Sequence, residues 1–92
     1  MDYQEYIQMG LEGKEPLKII LCGAVQEEGE EKIGVVSVVF ATQDRESATE
    51  KIQKLREQHP ENYYMVYSVP LESDLTTQNH YPSIAIRKED LQ

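Results

Sequence analysis

Two dense apolar runs, residues 17 to 25 (LKIILCGAV) and residues 33 to 41 (IGVVSVVFA), stand seven residues apart, and no other feature limits the fold so strongly. In the first run Leu17, Ile19, Leu21, Gly23 and Val25 alternate with Ile20, Cys22 and Ala24, so an extended chain is largely apolar on both faces. Such a strand must be covered on both sides. In the second run Ile33, Val35, Val36, Val38, Val39 and Phe40 give a density of β-branched side chains that suits a pleated surface, and it is read as the most interior strand. The seven residues between them, Gln26 to Lys32, hold Glu27, Glu28, Glu30 and Glu31 around Gly29, the residue best able to take the positive φ of a hairpin turn. A β-hairpin with a solvated acidic tip is expected.

Helical spacing appears twice. Tyr3, Ile7 and Leu11 recur every four residues with Tyr6 beside them, and Gly10 and Gly13 can end the helix. Further on, Thr42 and Asp44 supply capping oxygens, Glu46 complements a helix amino end, and Ala48, Ile52 and Leu55 form a narrow apolar stripe. This predicts a longer helix over about 44–58, stopped by Pro60. Residues 62 to 69 (NYYMVYSV) read as a third strand. Ile84 and Ile86, alternating with Ser83, Ala85 and Arg87, read as a fourth, an edge strand guarded by Arg87, Lys88, Glu89 and Asp90. Between them, Pro70 to Pro82 is polar and without period, a length at which connections are often functional.

The expectation is an α+β domain of order α-β-β-α-β-β, with a four-stranded antiparallel or mixed sheet and the long helix packed on one face. A helical crossover can place the third strand beside the second or beyond the first; the apolar density of residues 33 to 41 favours the sheet order 1-2-3-4. With 92 residues and no linker or repeat, residues 1–92 read as one domain. A chain of this size has little interior to spare for an enclosed substrate cavity, so a ligand site would be a shallow cleft or an interface.

Seventeen acidic against nine basic residues give a net charge of −8, which repels phosphate backbones and argues against direct nucleic-acid binding. The longest apolar stretch is about half of what a membrane-spanning helix needs. No export signal is visible at Met1-Asp2-Tyr3, and the lone Cys22 rules out an internal disulfide, so a reduced, cytoplasmic protein is expected.

Candidate chemistry is sparse. Cys22 lies mid-strand with no cation beside it in sequence, and reads as a small buried hydrophobe. His59 falls at the carboxyl end of the longer helix, where it complements the dipole and caps the last carbonyls. Ser73, Asp74 and His80 hold the atoms of a hydrolytic triad without a nucleophile elbow or an oxyanion hole. The five glycines form no phosphate-binding loop, and the hairpin glutamates lack the alternating ligands of a calcium loop, so no cofactor and no metal are expected.

The tyrosines stand out. Tyr63, Tyr64 and Tyr67 share one strand, with Tyr63 and Tyr67 on one face and Tyr64 on the other, while His80 and Tyr81 flank the same connection. Tyrosine offers large contact area with a polar handle, as interfaces favour. Tyr63, Tyr64, Tyr67, His80 and Tyr81 are therefore the expected interaction residues of a non-enzymatic protein-interaction or regulatory module, with a homodimer as one form of it. Two other classes stand beside this: a small ligand-binding or catalytic domain using residues 70–82, and an acidic nucleic-acid mimic that inhibits a basic partner.

Overall fold

In a computed structural model that describes residues 3–78 and 84–91, the two apolar runs pair as the strands of a long hairpin, β1 (Leu17–Glu28) and β2 (Glu31–Thr42). Glu28 faces Glu31 across a two-residue turn in which Gly29 has φ 64°. Positive φ at the first central residue alone is the pattern of a type II′ turn, whose twist matches that of the strands it joins. The four tip glutamates are exposed, as solvation of like charges requires.

Two helices, α1 (Tyr3–Glu12) and α2 (Arg45–Gln58), and a third strand, β3 (Tyr63–Val69), complete the regular elements, with short 3-10 turns at Leu75–Thr77 and Lys88–Leu91. No described helix is long and apolar enough to cross a membrane. The sheet order is β2-β1-β3 with every pairing antiparallel, which corrects the expected order 1-2-3-4 and moves residues 33 to 41 from the interior to an edge. The connection explains this. After β2 the chain reverses through α2, so β3 would run parallel to β2 but antiparallel to β1, and antiparallel pairing is the more stable per residue. β-branched content specifies a strand, not its place in the sheet.

Residues 84–87 correct a second expectation, since they are not a strand and the described sheet has three strands, not four. They cross the face of the sheet opposite the helices. Ile84 stands over Gly23 and Ile86 over Gly34, so closely that a Cβ at Gly34 would lie 2.6 Å from Ile86 Cγ2. Their apolar alternation is used for packing and not for pairing. A third correction concerns the helical layer: two helices share one face, and no single long helix covers it. Ile7 and Leu11 of α1 and Ala48 and Ile52 of α2 are buried with Ile20, Tyr64 and Val66 of the sheet. On the other face Ile19, Leu21 and Val69 are buried against Leu17, Tyr67, Leu75 and Ile84.

α2 begins as its sequence implies, with the Asp44 carboxylate accepting from the Ser47 amide at 3.2 Å and the Ser47 hydroxyl at 2.7 Å. α1 is anchored differently. Lys18 is 4% exposed, and its ammonium donates to the carbonyls of Gly13 and Glu15 at 2.5 and 3.0 Å and to Ser68 Oγ at 2.7 Å, one oxygen for each proton. Ser68 Oγ in turn donates to the Gly10 carbonyl. The buried cation thus satisfies two carbonyls of the turn that follows α1 and, through Ser68, ties that helix to β1 and β3. Burial lowers its pKa, helped by Arg45 and opposed by Glu15.

Helix α1 approaches β3 so closely that a Cβ at Gly10 would stand 1.9 Å from the Val66 carbonyl oxygen, whereas one at Gly29 would meet nothing within 4 Å. Gly10→Ala is therefore expected to force the helix off the strand and cost about 3 kcal/mol, as overpacking does. Gly29→Ala meets only the left-handed backbone penalty of about 1 kcal/mol. Urea denaturation of the two variants measures the difference, and equal losses would contradict the close approach of α1 to β3.

Candidate functional site: an apolar cleft on the open face

Alternation along β3 sends Tyr64, Val66 and Ser68 toward the helices and Tyr63, Met65, Tyr67 and Val69 toward the opposite face. On that face the crossing segment leaves a gap beside β3. The result is a cleft of about 350 Å³ lined by Val25, Tyr63, Met65, Tyr67, Ile84 and Ile86, with Tyr6 of α1 at its border and Gly23 in its wall. Gly23 is what lets Ile84 descend to the sheet, its Cβ position lying 3.1 Å from Ile84 Cγ2. Tyr6 and Tyr63 are 47% and 48% exposed, large aromatic areas left in water. No lining side chain carries a charge, and its side-chain oxygens are the tyrosine hydroxyls.

The sequence-derived residues divide. Tyr63 and Tyr67 line the cleft together, whereas Tyr64 is 2% exposed and belongs to the helix-side core. Tyr64 is thereby removed from any interaction surface. Its hydroxyl accepts from Asn62 Nδ2 at 3.4 Å, and its pKa is raised chiefly by burial, which the Asn62 contact opposes and neighbouring Cys22 reinforces. Cys22 itself is half-buried against the same core. His80 and Tyr81 lie outside the described residues.

Among the described residues, Asp74 gathers no catalytic group. Its carboxylate accepts from the amide and hydroxyl of Thr76 at 3.0 and 2.6 Å, and the Ser73 hydroxyl donates to the Leu71 carbonyl at 3.3 Å. Both side chains are committed to turn formation. His59 closes α2 through its backbone amide on the Leu55 carbonyl, while its ring nitrogen Nδ1 stands 3.6 Å from Glu61. Among the described residues, no group of three histidine, cysteine or acidic side chains could hold a metal ion.

Sequence reasoning missed Tyr6, Met65, Val25, Ile84 and Ile86. Met65 was readable, since strand alternation places it between Tyr63 and Tyr67. Glycines inside strands also signal close approach of another backbone or side chain, which is what Gly23 and Gly34 permit. In comparisons with protein-family models, curated proteins and solved structures, nothing matches this chain.

Two exposed carboxylates make these turns pH-dependent. The Ser47 hydroxyl and amide hold Asp44 below its ordinary value of 3.8, and the Thr76 hydroxyl and amide do the same for Asp74. A carboxylate with a depressed folded-state pKa contributes stability that is present above 3.8 and lost as pH falls through the lower, folded-state value. Replacing both by asparagine should flatten the acid limb of stability measured between roughly pH 2 and 6. An unchanged acid limb would place the responsible carboxylates elsewhere.

Proposed function

We propose that this chain is a non-enzymatic interaction module that holds a basic protein partner by an apolar side chain seated in the cleft. The observation that carries this reading is the uncharged, tyrosine-lined opening of about 350 Å³ on the sheet face that the helices leave free. That volume is at the low end of sites for small molecules and suits one or two side chains. Tyrosine, with rigid area and a hydroxyl at its tip, is the residue expected around such an anchor.

The sign of the partner follows from charge. A net charge of −8 repels acidic surfaces, and Glu27 continues the same face of β1 as Val25, so lysine or arginine beside the anchor would meet acid at the mouth of the cleft. Catalysis finds less support, because Ser73 and Asp74 already serve their own turns. A reducing compartment such as the cytoplasm fits the lone Cys22.

The probe is a capped pentapeptide with one phenylalanine between pairs of lysines, titrated into isotope-labelled protein. Amide signals of Gly23, Val25, Met65 and Tyr67 should shift, and Tyr67→Ala, shown to remain folded, should weaken binding by about 2 kcal/mol, roughly 30-fold. Glutamine at Glu27, Glu28, Glu30 and Glu31 should instead slow association while leaving release little changed. Shifts confined to the hairpin tip, or equal binding of an alanine-centred peptide, would refute the cleft as the anchor site.

A further inference from the structure

We infer that β2 pairs with β2 of a second copy, in an antiparallel ladder centred on Ser37. The free edge is unusual for a strand of twelve residues. Edges are ordinarily blunted by charge, proline, brevity or a covering element. From Ile33 to Gln43 the strand and its exit hold neither a charge nor a proline. Val36, Val38 and Val39 are 44%, 61% and 41% exposed, and among the described residues β1 is the one strand paired with β2.

The occupant is indicated by sequence symmetry and by charge. Residues 35 to 39 read Val-Val-Ser-Val-Val, the same in both directions about Ser37. A twofold axis perpendicular to the sheet makes a self-complementary contact and keeps each face on its own side. With the axis at Ser37, Val36 of one copy lies opposite Val38 of the other on the face away from the helices. Val35 lies opposite Val39 on the helix side. Every exposed valine of β2 then meets a valine, a favourable cross-strand pairing. Two copies that each carry −8 can approach only along an uncharged seam, and this register offers one: Lys32 falls opposite Thr42, and no two like charges are opposed within residues 32 to 42.

The same geometry limits the strength of the contact. Ile20 pairs with Phe40 and Leu21 with Val38, so Val39 is an extra residue in β2, and beyond it the side chains change face. The regular ladder is confined to about five residues in each copy. It buries less than the roughly 1,200 Å² of a standard stable interface, so the dimer is reversible and concentration-dependent.

Sedimentation of the full chain from about 10 μM to 1 mM, the range in which weak complexes dissociate, is the first test. The mass should rise toward two chains, and Val38→Lys, which sets a cation against apolar valine, should return it to one. Ser37→Cys in a Cys22→Ala background should give a covalent dimer on mild oxidation, because the axis places the two sulfurs together; Thr42→Cys in that background should not. Should Cys22→Ala fail to fold, the sedimentation pair decides alone. A monomer throughout the range, a dimer indifferent to Val38→Lys, or faster cross-linking through Thr42→Cys than through Ser37→Cys would overturn the proposal.

Discussion

β1 is the strand on which the other elements converge. Among the described strands it alone is hydrogen-bonded on both sides, with eleven residue pairs to β2 and seven to β3, and both of its faces are covered. Ile20 is completely buried under the helices, while Ile19 and Leu21 are buried on the opposite face. Even its one early charge is drawn inward, since Lys18 spends its three protons on two carbonyls of the turn after α1 and on Ser68 of β3. A buried ammonium without a carboxylate partner is stable only where oxygens replace its water. Its position fixes α1 to the sheet.

The second face follows from two small residues. Gly23 and Gly34 remove side chains where Ile84 and Ile86 descend, so the carboxyl-terminal segment lies directly on the sheet and buries apolar surface without adding a strand. Having crossed there, it leaves the region beside Tyr63, Met65 and Tyr67 open, and the cleft is the space between the segment and β3. The cleft is a consequence of how the strand face is covered. Its lack of charge has the same origin, because that face was apolar already.

Much of this was legible in the sequence. The hairpin, its Gly29 turn, the Asp44 cap and the facing of Tyr63 with Tyr67 follow from local chemistry that no distant contact overrides. Strand order was not legible, because residues 33 to 41 are rich in β-branched side chains whether they lie inside or at an edge, and direction of travel decided the matter. Ile84 and Ile86 alternate as a strand would, yet the pattern is equally met by side chains packed on glycines. Lys18 gave no signal. A lysine among apolar residues reads as a surface interruption until the carbonyls of the preceding turn and the Ser68 hydroxyl of β3 are seen around it.

A doubly paired, doubly covered β1 flanked by an edge β2 makes a claim about local stability, and amide hydrogen exchange reads it most directly. Measured by nuclear magnetic resonance at concentrations where the chain is monomeric, the amides of Ile19 to Cys22 should exchange slowest. Those of Val35 to Val39 should divide between protected amides facing β1 and unprotected ones at the free edge. Uniform protection of residues 35 to 39 equal to that of β1 in the monomer would contradict the β2-β1-β3 order and the account built on it.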